Sequence, residues 1–444
     1  MPSFETAFAE TQQLLAQGDA SAAFSALRPL IEDPNHEQSA TQFRACLGLL
    51  AAVSEGLAGP EYAASFHALA KSPDDIELIH NVAYELHEQG QPGLSARLLI
   101  HGLDHSPSHP RLVAELIPNL EALMRNADAV AVLQGAELVD AHPIFAYSTA
   151  FNAILIDEIP LARHALGLLL DMELDPGLRD MSLAIEGMLA RHAALSGVCA
   201  LDAQDLVGWQ LVVDGSALLH VSPEGYEGPM RGRYAFFQDD YAHIREGLES
   251  LQVVLQALDM APEMLVAAPE RGAEIVAEAL STSLGLPAHE WSPEFAETPA
   301  LFIADDLRAI EDNAFLQAMS THRPGQRLFV HASCWTEPFF YTPDATTFLF
   351  QHRLAPWAEG RMRIDADTQE ISQGVADPSP TFELATRVQN AEIESPSQTP
   401  LDPLIAGLLA LRELPEPHRP GLLRTSGQRA IARLGSPVVS SRFG

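Results

Sequence analysis

Three short stretches carry residue types able to do chemistry, and each sits at the end of an apolar run. Pro269-Glu270-Arg271-Gly272 follows the run 264–268, Asp305-Asp306-Leu307-Arg308 follows 301–304, and His331-Ala332-Ser333-Cys334-Trp335 closes 327–331. Carboxylates, guanidinium groups and an imidazole gathered at strand ends suit acid–base work or contacts to a polar ligand. Arg271, Asp305, Asp306, Arg308 and His331 are therefore the candidate ligand-binding residues. A plainer reading stands beside this one. Asp305-Asp306 also fits a strand-to-helix turn with a capping aspartate, and Cys334 fits a buried structural thiol. His331 and Cys334 have no second Cys/His cluster to complete a metal site.

Several chemistries are thinned out by composition. The chain has a single lysine, Lys71, so the region from residue 199 onward has neither a P-loop lysine nor a Schiff-base lysine. Gly225, Gly228 and Gly232 fall between expected strands instead of opening a helix, and there is no Gly-x-Ser-x-Gly elbow. No catalytic residue, metal or cofactor is assigned on this basis. Sixty acidic residues oppose 26 basic ones, a net charge of −34, and such a field repels nucleic-acid phosphate and anionic lipid. The expected partners are proteins or peptides, basic ones above all, and not nucleic acid or membrane. Met1-Pro2-Ser3-Phe4-Glu5 has no basic n-region, and no run approaches the ~18–20 apolar residues of a membrane span. With Cys46, Cys199 and Cys334 too scattered for a disulfide framework, a bacterial-type cytoplasm is the expected setting.

The elements that must position these residues change character near residue 199. From there the text reads as an α/β domain at 199–365. The runs 209–213 and 217–221 flank Asp214-Gly215 as an N-terminal hairpin, and a third strand covers 233–237. Helices at 241–258, 272–284 and 312–319 alternate with strands at 264–268, 301–304 and 327–331, which argues a parallel βαβαβ core. In such sheets ligands bind beyond the carboxyl ends of the strands, where the candidates lie. A short helix is expected from Pro343 to Leu354, a polar linker at 366–400, and then a 401–444 segment with an amphipathic helix and an arginine-rich tail. That tail carries Arg419, Arg424, Arg429, Arg433 and Arg442 against Glu416 alone, and it is expected to dock on its own acidic chain with Phe443 in an apolar recess.

The strand-end residues resemble those of the type I phosphoribosyltransferase fold. Ala268-Pro269-Glu270-Arg271-Gly272-Ala273 is similar to that family's first substrate loop, and Leu301 to Leu307 to the strand bearing its acidic pair. The resemblance implies that Asp305 and Asp306 would engage ribose hydroxyls, followed by a Gly/Ser/Thr loop for the 5-phosphate. The chain departs there: Leu307 to Asn313 offers no glycine or hydroxyl, and Glu311 and Asp312 would oppose a phosphate. The fold is thus expected to be degenerate, without phosphoribosyl transfer.

Residues 1–198 carry a different signal. Pro73, Pro107, Pro143 and Pro176 recur at steps of 34, 36 and 33 residues, each at the edge of Ala/Leu-rich helical text. Ile79, Val82, Ala83 and Leu86 form one apolar stripe, Leu94, Leu98, Leu99 and Leu103 another, and Gln89 to Gly93 is the turn between them. This unit resembles a tetratricopeptide repeat, with small residues at Ala83, Ser95 and Gly102 where paired helices approach closely. The resemblance implies a helical-repeat solenoid whose concave face carries Glu77, His80, Asn81, Tyr84 and His87, the candidate partner-binding row. The expectation is a non-catalytic scaffold that binds a partner segment. The alternative is an enzyme or small-ligand sensor working at the strand ends.

Overall fold

The computed structural model describes residues 4–32, 39–223, 230–364, 371–393, 399 and 401–442. The chain divides into two compact units, residues 1–178 and 179–444.

The first unit is helical: α1 (Phe4–Ala16), α2 (Ala20–Glu32), α3 (Ala40–Ala58), α4 (Ala64–Lys71), α5 (Ile76–Glu88), α6 (Pro92–His105), α7 (Pro110–Ala122), α8 (Asn126–Gly135), α9 (Pro143–Ile154) and α10 (Ile159–Leu170). Local chemistry sets the boundaries. Asp75 caps α5 by accepting from the N–H groups of Glu77 and Leu78 at 3.0 and 3.2 Å. Pro92, Pro110 and Pro143 each occupy the first helical position of α6, α7 and α9, where no N–H is needed. The recurring prolines thus stand at helix boundaries: Pro73 and Pro107 lie just past α4 and α6, and Pro143 opens α9. Pro118 lies inside α7, which continues to Ala122. The first apolar stripe is buried as read, with Ile79, Val82, Ala83 and Leu86 facing inward from α5; of the second, Leu94, Leu98 and Leu99 are buried and Leu103 is half-buried. Helix α5 packs on α6 and α7, and α7 on α8 and α9. Gly102 makes the close approach possible, because a Cβ there would meet Leu112 Cδ1 at 2.8 Å.

The second unit opens with most of α11 (Pro176–Leu195) and α12 (Leu206–Val213). A seven-stranded sheet follows, built from β1 (Ala217–Leu218), β2 (Tyr234–Gln238), β3 (Leu265–Ala267), β4 (Ala288–Glu290), β5 (Leu301–Ala304), β6 (Arg327–Cys334) and β7 (Ala345–Leu354). Its order is β1-β7-β6-β5-β3-β4, with β2 pairing the second half of β7, and each of these pairings is parallel. Helices α13 (Tyr241–Ala257), α14 (Arg271–Leu284) and α15 (Asn313–Met319) connect the strands as expected. A small antiparallel pair, β8 (Met362–Ile364) and β9 (Ile371–Gln373), precedes α16 (Thr381–Asn390) and α17 (Leu401–Leu411). The protein is therefore a mixed helical and α/β chain. No described helix is long and apolar enough to cross a membrane.

Three expectations are corrected. The segment 209–213 is not a hairpin strand but the end of α12, capped by Asp205, which accepts from Gly208 N at 2.8 Å. An apolar run buried nearly all round has no period to separate strand from helix. The expected helix at 343–354 is strand β7, whose residues 345–351 are all buried between β6 on one side and β1 and β2 on the other. Its Thr346-Thr347-Phe348-Leu349-Phe350 core is the β-branched and aromatic composition of an inner parallel strand. The expected linker at 366–400 contains β9 and α16; Leu384, Ala385 and Val388 of α16 are buried, and the helix packs on α13 and α14.

The C-terminal residues lie along the second unit. Arg429 donates to Asp344 through Nη2 at 2.8 Å and Nε at 3.2 Å, both side chains being buried, and Nη1 donates to the Met319 carbonyl. Arg233 donates to Val438 O at 2.8 Å and Ser440 Oγ at 2.6 Å. Phe443 lies outside the described residues.

Candidate functional site

The strand ends converge on one buried charge network. Asp239 directly follows β2, and neighbouring Asp240 caps α13 by accepting from His243 N at 2.8 Å. One Asp239 oxygen accepts from the His243 ring (Nδ1, 3.0 Å) and from Asp240 N (2.9 Å). The other accepts from the His331 ring (Nε2, 3.0 Å) and from Arg353 Nε (2.8 Å) and Nη2 (2.7 Å). The Arg353 guanidinium, from β7, then turns its two terminal nitrogens to both oxygens of Asp305, each at 2.8 Å, in a bidentate pair. Asp305 N in turn donates to Glu270 at 3.0 Å, and Glu270 caps α14 by accepting from Gly272 N and Ala273 N at 2.6 Å. Gly272 is required for this approach, since a Cβ there would stand 2.7 Å from Asp305 Cβ.

Burial sets the electrostatics. For Asp239, desolvation favours the neutral acid, but Arg353 and then His331 outweigh it and hold the carboxyl well below its ordinary range. Arg353 loses hydration in the same way, and the flanking Asp305 and Asp239 more than restore its charge. Burial pushes His331 down despite Asp239; Nε2 faces the Asp239 carboxylate, and Nδ1 lies 3.1 Å from Thr347 Oγ1. Glu270 is pushed up to about 8 by burial and by the neighbouring Asp305 carboxylate. Behind this network, His220 bonds Tyr234 OH at 2.7 Å, its ring lies 4.5 Å from that of His243, and burial pushes it down to about 3.

Of the candidates read from sequence, Asp305 and His331 meet in this network, joined through Arg353 and Asp239. Asp306 does not join them. It caps the turn at Leu307–Ala309 by accepting from Arg308 N at 3.0 Å, and it pairs with the Arg308 side chain at 2.9 Å. Arg308 lies over the Phe350 ring at 5.0 Å. Arg271 donates to the carbonyls of Asp377 and Ser379, both at 2.7 Å. The adjacent acids thus face two different arginines. Asp312 occupies the N-terminus of α15, accepting from Ala314 N and Phe315 N at 2.8 and 3.0 Å, where a phosphate would need those same N–H groups.

Asp239, His243, Arg353 and Glu270 complete the network and were not among the sequence candidates. The ligand atoms of Asp239, His243 and His331 lie within 4.8 Å of one another, close enough to share a metal. The chemistry is against it. The Asp239 oxygen nearest His331 already faces the Arg353 cation, which a dication would have to displace. A cavity of about 160 Å³ lined by Met260, Pro262, Glu263, Pro299, Gly325 and Arg327 lies at the amino ends of β3, β5 and β6, the opposite end of the strands from the network.

In the first unit the row on α5 is partly tied down. Glu77 pairs with Arg111 of α7 at 2.8 Å, Arg111 also reaches His80 Nδ1 at 3.3 Å, and His87 Nδ1 bonds the buried Asn119 side chain at 2.9 Å. Glu121 of α7 accepts from Asn152 of α9 at 2.6 Å. Asn81 and Tyr84 stand exposed on the same helix. Comparison with protein-family models, with curated proteins and with solved structures gives no match for this chain.

Proposed function

We propose that the protein is a non-catalytic binding protein whose N-terminal helices act as a tetratricopeptide-like scaffold, taking a partner segment on the face carried by α5, α7 and α9. One contrast carries the reading: the candidates at the strand ends are bonded to the protein itself, whereas Tyr84 remains 50% exposed in the middle of a polar row. A half-exposed tyrosine offers a large contact area at little entropic cost, and such residues dominate binding energy at interfaces. The repeat interpretation draws support from register. Arg111 lies 34 residues after its partner Glu77, and Asn119 lies 32 after its partner His87, so like positions of α5 and α7 are neighbours. The net charge of −34 and the exposed Glu88 on α5 favour a basic partner segment.

A photo-crosslinking residue at position 84 of the full chain tests this, with the same residue at exposed Val253 of the second unit as control. Adducts formed through position 84 alone, and competed by a basic peptide pool, support the proposal. Equal labelling at both positions sinks it.

A further inference from the structure

We infer that Asp74, His101 and His105 form a surface site for a divalent first-row transition metal, zinc being the natural occupant. His101 and His105 are one turn apart on α6 and share a face. Asp74 reaches them from the turn between α4 and α5. Its Oδ1 accepts a hydrogen bond from His101 Nε2 at 3.0 Å, whose proton a metal would displace, and lies 3.7 Å from His105 Nε2; the three ligand atoms lie within 4.8 Å of one another. A tetrahedral dication with bonds of about 2.0–2.1 Å spaces its ligands about 3.3 Å apart, a value these two distances bracket.

Second contacts fix the rings. The His105 Nδ1–H donates to the His101 carbonyl at 3.0 Å, and a carbonyl can only accept, so in the neutral ring Nε2 carries the lone pair and points toward Asp74. At 3.7 Å that nitrogen and the carboxylate are too far apart for a hydrogen bond, which leaves two electron-pair donors facing a common point. An outer-shell carbonyl on one ring nitrogen with the other left for a metal is the arrangement that orients ligating histidines. The His101 ring packs 4.4 Å from Phe43 and 4.9 Å from His105, holding it in place. Asp74 and His105 are about half exposed, so an ion enters directly from solvent, and three protein ligands leave a fourth position for water or a donor group. The metal would clip the turn before α5 to the end of α6.

The test uses the full chain without a polyhistidine tag, titrated with zinc against a chromophoric chelator and separately with cobalt(II), whose visible absorption reports coordination. Asp74→Asn and His105→Gln remove exposed ligands; His243→Gln controls for the buried cluster. One zinc per chain is expected, with affinity falling about tenfold or more in both surface variants and zinc raising the melting temperature of the wild type but not of the variants. Binding unchanged in Asp74→Asn and His105→Gln, or lost only in His243→Gln, overturns the proposal, as does the absence of any zinc-dependent signal.

Discussion

Replacing Arg353 with methionine is the sharpest test of the charge network. The side chain is buried, and its single cation serves two carboxylates, Asp239 and Asp305. Methionine keeps most of the volume, so the loss is electrostatic. Removing one member of a buried pair costs about 3–5 kcal/mol, because the remaining charge is stranded. Asp239 keeps the His243 and His331 rings and the Asp240 N–H, so most of the cost falls on Asp305, and about 4 kcal/mol is expected. For a unit of this size that is about 8–16 °C in melting temperature. All four tryptophans, Trp209, Trp291, Trp335 and Trp357, lie in the second unit, so fluorescence-detected urea unfolding reads the right part of the chain. The pH dependence has a definite sign. Asp239 is depressed in the fold, so its contribution is present above its unfolded value of 3.8 and is lost as pH falls through its lower folded value. The gap between wild type and variant is therefore full near neutral pH and narrows on acidification as the stranded carboxylates take up protons. Adding Asp305→Asn to Arg353→Met should recover part of the loss, since the uncompensated charge goes with it. A loss below about 1 kcal/mol, or a double variant whose losses simply add, refutes the network as drawn.

Four further outcomes are expected. Tyr84→Ala leaves melting unchanged and weakens a crosslinked partner by about 1–2 kcal/mol, measured by titration calorimetry. Gly272→Ala drives a Cβ against Asp305 and costs about 1–3 kcal/mol in urea unfolding. Asp214 is pushed up to about 6, chiefly by burial, so its contribution is present below 3.8 and lost as pH rises through about 6; Asp214→Asn removes that loss and gains on the wild type above pH 6 in a pH series of melting curves. Trypsin acting on the folded protein spares Arg429, which is 4% exposed, as read by mass spectrometry of early fragments.

Much of the second unit's core was legible because apolar strands and amphipathic helices alternate with clear breaks. The strand at 301–304 is β5 residue for residue, and α13, α14 and α15 fall within one residue of the expected helices at each end. Two of the three failures share a cause. Where a run is buried on nearly all sides, as at Leu206–Val213 and 345–351, the sequence has no polar face from which to read a period. Misreading β7 as a helix also hid Arg353, which as a strand residue comes level with the end of β2. Asp305 and His331 could be picked out because each stands at or near the end of an apolar strand. Their partners could not, since Arg353 lies 48 residues from Asp305 and 114 from Asp239, separations that only the sheet order closes.

The sheet order also decides what the strand ends can do. In a parallel sheet the carboxyl ends are the usual ligand site because helix N-termini and loop residues there are free to bind. Here those groups are taken by side chains of the protein: Glu270 caps α14, Asp312 caps α15, and Arg353 fills the space between Asp239 and Asp305. A ligand entering would have to displace a bidentate ion pair and leave at least one charge without its partner, a cost of several kcal/mol that a small polar molecule must recover from new contacts. No such cost attaches to the face of α5, where Tyr84 and Asn81 are already in contact with solvent. A ligand at the strand ends must therefore break contacts the protein makes with itself, whereas one on the face of α5 displaces only solvent from Tyr84 and Asn81.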